Sequence, residues 1–356
     1  MKERLHCFDV LKGIAIFMVV IGHVLTMCVR QIDSALLFKF VGAVHMPLFF
    51  FISGWFTFSV KPGVSPVPRL LPRAKRLLVP MIAVSTLWIF RFPYTGIESP
   101  LDSTFQGLWF NEWKNGYWFT LVLFELIVLY ALLCRAFVSI RNIGMQIVFV
   151  LAAWIFLEEL LKLVPGQVYT FLSFELMSMF FPVFMLGAVA SRNRALFFDA
   201  CNRSTVVTEA LLALAVSFAF VGWPWKYSDT IVMIARVVLH VAVAIIAIAA
   251  VRPWVDRSFA SETTGRFARL WAYVGKRSLA VYLLHYFFLF PLGCVREALR
   301  AMDLALLPTL FFAGAVAACV IACVLFVDYL LSFSRPLSFL LTGGGLDPAP
   351  LEPRKA

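Results

Sequence analysis

Asp9, Lys12 and His23 lie in one apolar run near residues 8–28, where a charged side chain costs several kcal/mol unless it meets a partner or water. In a helix, positions eleven apart return to nearly the same face. Lys12 and His23 therefore point into one groove, about 16 Å apart along the axis. That separation suits the two ends of a long ligand. Asp9, one turn from Lys12, either helps to build this groove or caps the inner end of the helix beside a snorkelling Lys12. A second cationic pair, Arg73 and Arg76, stands at i and i+3 in Pro72-Arg73-Ala74-Lys75-Arg76. Two guanidinium forks on one face suit phosphate groups, and ordinary anchoring of the next span accounts for them equally well.

Further ionisable groups are spread along the other apolar runs. His45 opens His45-Met46-Pro47-Leu48-Phe49-Phe50-Phe51-Ile52-Ser53-Gly54. Pro47 frees a carbonyl one turn earlier, and Ser53 with Gly54 permits close helix contact. His45 is either part of a pocket wall or bonded to that carbonyl for packing. Glu125, Arg236 with His240, His285 and Asp328 are candidates of the same kind, each also readable as a structural counter-ion. Trp118 belongs to an aromatic stretch with Trp109, Trp113 and Tyr117 that suits sugar faces or a membrane-interface belt. There is no G-x-x-x-x-G-K-[ST], no G-x-G-x-x-G in a strand context, no H-E-x-x-H and no G-x-S-x-G, so the usual signatures of ATP-driven transport, dinucleotide redox, zinc proteolysis and serine hydrolysis are missing. Seven single cysteines without C-x-x-C indicate neither a zinc site nor a redox pair, and no metal is expected.

The elements that hold these residues follow from composition. Of 356 residues, 62% are apolar and only 14% charged, and the mean hydropathy is +0.89. A globule in water cannot hide that much apolar surface. About 20 apolar residues cross a bilayer, and roughly ten such windows occur, near 8–28, 36–58, 75–93, 117–138, 143–163, 171–190, 205–223, 229–251, 271–293 and 304–331. The reading is an all-α, polytopic transmembrane helical bundle of about ten spans: a membrane domain over 1–335 and a short cytoplasmic tail over 336–356. With the N-terminus inside, twenty-one Lys and Arg fall in inner segments and eight in outer ones, which predicts both termini cytoplasmic. The net charge of +11 is thus a topology signal, and nucleic acid is not an expected partner. The first run lacks a small-residue cleavage site and carries three ionisable groups, so it reads as a true span.

Several of these motifs coincide in order. Phe8-Asp9-Val10-Leu11-Lys12-Gly13 running to Gly22-His23, the His45 to Gly54 stretch, Arg73 and Arg76 before Leu77-Leu78-Val79-Pro80, Tyr117-Trp118-Phe119 ahead of Leu123-Phe124, and Ser278 to His285 together resemble the acyltransferase-3 family of membrane acyltransferases. The most similar branch is that of the fucose 4-O-acetylase-like proteins. The resemblance implies transfer of an acyl group, usually acetyl from acetyl-CoA, to a hydroxyl of a sugar in a surface glycan, polysaccharide or lipid-linked precursor, in a bacterial inner membrane. Acyl-CoA would be a donor substrate, with no permanently bound cofactor. CoA phosphates would meet Arg73, Arg76 and Lys12. His23 would act as general base on the acceptor hydroxyl or carry the acyl group itself. Asp9 would hold Lys12, while His45, Glu125, Trp118 and His285 would serve the site or the acceptor sugar. Two departures stand out. The chain ends soon after the tenth span, so the extracytoplasmic SGNH-type domain of many members is not expected, and Thr120-Leu121-Val122 replaces a Leu-Pro-like stretch. The competing reading is a carrier or flippase of lipid-linked glycans, or an acyl relay across the membrane.

Overall fold

The computed structural model describes residues 5–29, 36–57, 66–95, 105–222, 229–260, 265–290, 297–298, 301 and 306–344. Lys2, Arg4, Arg30, Lys61, Lys226, Arg296, Arg300, Arg354 and Lys355 of the charge count, and Cys294, lie outside the described residues. The elements are α1 His6–Val24, α2 Leu36–Trp55, α3 Leu70–Thr95, α4 Phe105–Trp109, α5 Trp118–Ser139, α6 Ile143–Leu161, α7 Gly166–Phe171, α8 Phe174–Arg192, α9 Arg194–Asn202, α10 Ser204–Gly222, α11 Asp229–Ala260, α12 Arg266–Lys276, α13 Ser278–Leu284, α14 Leu306–Leu331 and α15 Arg335–Thr342. No strand occurs among the described residues. The chain is an all-α helical membrane protein, as its composition predicts. Among the described residues six helices are long and apolar enough to cross a membrane, or seven if the pair α9 and α10, bent by 82°, is one span. Their outer faces present Leu132, Phe156 and Phe311, large apolar side chains that lipid accommodates and water does not.

Nine of the ten apolar windows coincide with a helix. The window 271–293 does not, because α12 stops at Arg277 (φ −105°, ψ 14°) and the chain restarts as α13, then tightens into a 3₁₀ turn at His285–Phe288. Arg277 holds this break: its guanidinium lies 3.3 Å from the Asp328 carboxylate of α14 and over the Tyr273 ring at 3.9 Å. The tail region is also structured in part. α15 packs against α3 and α13 and ends at Gly343, whose left-handed φ of 67° closes the helix. A side chain there would collide with the Arg76 carbonyl.

Helix α1 is the hub, packed against α2, α11, α12, α13 and α14. Glycines make the tightest crossing possible. A Cβ on Gly13 would strike the Trp271 carbonyl, and one on Gly275 the Asp9 carbonyl, so α1 and α12 touch backbone to backbone, as small residues allow in membranes. The same device joins α2 to α8, where Gly54 meets the Phe184 carbonyl and Gly187 that of Phe51. Gly275→Val is therefore expected to destabilise the bundle by about 1–3 kcal/mol, the usual effect of overpacking. Gly166→Ala, where nothing lies within 4 Å, should be nearly silent. Thermal unfolding of the two variants in detergent compares them directly, and equal melting temperatures would contradict the close crossing.

Candidate active site

The α1 stripe that carries Lys12 and Ile16 continues through Val19 to His23, at i, i+4, i+7 and i+11 on one face. A cavity of about 280 Å³ opens along the first three of these. Lys12, Arg73, Arg76 and Ser278 bring its polar groups, Met46, Phe49 and Ser53 of α2 form a wall, and Phe119, Leu123 and Ile127 of α5 face them. Tyr282 completes the lining, with its hydroxyl held by two bonds: it accepts from the Phe119 N–H at 3.0 Å and donates to the Gly116 carbonyl at 2.6 Å.

On the cationic side of the cavity Lys12 is paired and Arg73 is held by a backbone carbonyl. Lys12 Nζ lies 3.0 Å from the Asp9 carboxylate and 6.0 Å from the centre of the Phe56 ring. Arg73 donates to the Arg69 carbonyl at 3.0 Å, which turns its guanidinium along α3. The structure thus brings Asp9, Lys12, Arg73 and Arg76 to one place.

His23 stands one turn beyond Val19, past the cavity lining, among aromatic rings. The Tyr286 hydroxyl is 2.9 Å from its Nε2 and 3.2 Å from its Nδ1, and the His285 ring lies 5.1 Å away, centre to centre. His285 is fully buried. Its Nδ1 pairs with the Val281 carbonyl at 2.9 Å, and that bond leaves Nε2 as a bare acceptor with no partner among the described residues. His45 has its Nδ1 bonded to the Val41 carbonyl of its own helix. His23 and His285 therefore meet from two segments distant in sequence. Among the described residues no group of three or more His, Cys, Asp or Glu side chains is arranged to hold a metal ion.

Two of the residues singled out from the sequence lie elsewhere. Trp118 is buried as a core ring, stacked on Phe180 at 5.5 Å and on Phe50 at 6.1 Å, so it offers no open platform. Glu125 is not among the cavity's lining residues; both its carboxylate oxygens are shielded from solvent without a hydrogen-bond partner among the described residues. Lys114, in the loop before α5, is near enough for charge coupling to Glu125. That lysine is fully buried and donates to the Asn111 and Thr170 carbonyls, each at 2.8 Å. Burial pushes its ammonium down to about 8, with Glu112 and Glu125 acting in the opposite direction. Sequence reasoning missed Tyr282 and Tyr286. Their signal is spacing, since Tyr282, His285 and Tyr286 at i, i+3 and i+4 fall on one helical face.

Apolar helices thus surround a cationic cavity, with imidazoles and a phenol beyond its far end. The chain belongs to the acyltransferase-3 family, whose acyltransferase domain matches residues 5–328. It is similar to the nodulation protein NolL of Mesorhizobium japonicum, 28% identical over 222 residues that cover 61% of this chain and 56% of that protein. It is also similar to the nodulation protein NolL of Sinorhizobium fredii, 39% identical over 79 residues, 21% of this chain and 22% of that protein. The matched stretch thus spans little more than half of the first relative's length and under a quarter of the second's. No solved structure matches the chain.

The Asp9–Lys12 pair makes a direct test of this electrostatic arrangement. Removing one partner leaves the other charge without compensation in a largely apolar setting. Asp9→Asn and Lys12→Met should each lower the melting temperature, and the double variant should lose less than the sum, with a coupling of about 1–3 kcal/mol. Strict additivity would show that the two groups do not interact.

Proposed function

We propose that this membrane acyltransferase moves an acyl group, acetyl in the first instance, from acyl-CoA to a hydroxyl of a sugar in a surface glycan or its lipid-linked precursor, in a bacterial cytoplasmic membrane. The observation that carries the reading is the cavity itself: cations at one end, an apolar length, and His23 one turn past the other end on the same helical stripe. Its volume of about 280 Å³ is near the lower limit of ligand pockets, roughly 300–1,000 Å³. That suits a slender acyl-pantetheine arm with the nucleotide outside.

In this reading Arg73 and Arg76 bind the CoA phosphates through charge-assisted hydrogen bonds. Lys12 neutralises charge deeper in the cavity, and Asp9 keeps its ammonium in place. The arm runs along Ile16 and Val19, and its thioester approaches His23. The His23 imidazole takes the proton of the acceptor hydroxyl as that oxygen attacks the thioester carbonyl, and the CoA thiolate leaves. The bare Nε2 of His285 beside it suits a hydrogen bond from the acceptor sugar, whose hydroxyls are otherwise costly to bury. The family assignment supports acyl transfer without fixing the donor or the acceptor.

The test is purified protein in lipid nanodiscs with radiolabelled acetyl-CoA and a panel of methyl glycosides and lipid-linked oligosaccharides. Sustained CoA release that depends on an added acceptor is expected. His23→Ala should abolish it while the protein remains folded and inserted. Arg73→Ala and Arg76→Ala should each raise the KM for acetyl-CoA by about tenfold or more, the loss of a hydrogen bond to a charged group, with a smaller effect on kcat. Full activity of the His23 variant, or an unchanged KM in both arginine variants, would refute the assignment.

A further inference from the structure

The sharpest unexplained local structure in the molecule is the three-residue turn ahead of α5. Lys114, Asn115 and Gly116 adopt φ of 45°, 51° and 96° in succession, a left-handed run that two side-chain-bearing residues enter only against a steric penalty. The turn is held from outside. Lys114 Nζ bonds to the Asn111 and Thr170 carbonyls, the Asn111 carboxamide accepts from the Trp113 N–H at 2.8 Å, and Ser173 Oγ donates to the Glu112 carbonyl at 2.7 Å. What the strained backbone achieves is visible on its inner side. A Cβ on Gly116 would occupy the place of the Tyr286 hydroxyl oxygen, and the Gly116 carbonyl receives the Tyr282 hydroxyl. The absence of one side chain therefore makes the seat for one phenol, while the carbonyl of the same residue anchors another.

The seated hydroxyl is the one that meets His23 at 2.9 Å. Tyr286 is itself clamped, in ring contact with His285 at 4.2 Å, Tyr117 at 5.2 Å and Trp88 at 6.4 Å. That hydroxyl reaches both ring nitrogens, Nε2 at 2.9 Å and Nδ1 at 3.2 Å, so it holds this edge of the imidazole whichever nitrogen carries the proton. We propose that Tyr286 is a positioning residue for the acyl-transfer reaction: its hydroxyl fixes the ring position of His23, and the Lys114–Gly116 turn exists to seat that hydroxyl. This rests on the reading of His23 as the proton-transferring group. It adds a control point on a loop that no motif in the chain marks. It also explains why a fully buried lysine is spent on bonding loop carbonyls rather than a substrate.

The experiment combines kinetics with a signal that needs no turnover. Tyr286→Phe keeps the ring and its packing and removes only the hydroxyl. We expect kcat to fall by about tenfold or more with the KM for acetyl-CoA unchanged within about twofold, the pattern of a lost orientation rather than a lost binding contact. Gly116→Ala, which leaves the hydroxyl in the protein but fills its seat, should reproduce that pattern. In protein labelled with ¹⁵N-histidine, the His23 ring nitrogens of the wild type should give one sharp set of signals, and those of Tyr286→Phe shifted or broadened ones. Wild-type kcat in Tyr286→Phe, or an unaltered His23 spectrum in that variant, overturns the proposal. If Tyr286→Phe alters the His23 signals but the wild type turns over no acyl-CoA with any acceptor, the reading of the reaction has failed instead.

Discussion

A lysine on the cavity face of an enclosed apolar helix sets the terms for the rest of this structure. Its charge cannot be left in hydrocarbon, and Asp9 one turn away meets it at 3.0 Å. Such a pair is at best a small net stabiliser, because removing both ions from water costs about what their attraction returns. Its presence therefore needs a reason other than stability. The cavity supplies one: Lys12 is oriented by Asp9 on one side and presented to open space on the other, next to Arg73 and Arg76. A helix bearing this burden must be surrounded by protein, and α1 is, after α8, the most enclosed of the candidate spans among the described residues.

That enclosure is achieved by removing side chains. Gly13 and Gly275 let α1 and α12 meet at the backbone, next to Asp9, so the crossing that buries the helix also fixes the height of the ion pair. Gly54 and Gly187 do the same for α2 and α8, bringing Met46, Phe49 and Ser53 to the cavity wall. Gly343 ends α15 against the Arg76 carbonyl. Gly116 seats the Tyr286 hydroxyl against His23. Rigidity at both ends of the groove thus comes from close backbone contact, which holds a substrate path better than long flexible side chains.

Much of this was legible in the sequence, for reasons that are local. A span needs an unbroken apolar run, so nine windows coincide with helices, and i, i+3 and i+14 spacing places Asp9, Lys12 and His23 on α1 because the helix there is regular. The broken window 271–293 was not legible, since hydropathy averages over the Arg277 break that Asp328, about fifty residues later, stabilises. The pairing of His23 with Tyr286 joins residues 263 apart and leaves no periodic trace. Trp118 shows the limit of composition: an aromatic rich in potential for sugar stacking is committed to Phe50 and Phe180. Glu125 and its relation to Lys114 depend on a left-handed turn, which only Gly116 hints at.

The account stands on the claim that one groove along α1 takes acyl-CoA with phosphates at the arginines and thioester at His23. A structure of the protein in nanodiscs with bound acetyl-CoA, by electron cryomicroscopy, tests it most directly. The account predicts phosphate density against Arg73 and Arg76, the pantetheine arm along Lys12, Ile16 and Val19, and the thioester carbonyl near His23, about 3–3.5 Å from the group that reacts with it. Acetyl-CoA bound away from this groove, or threaded through it with the thioester far from His23, would contradict it.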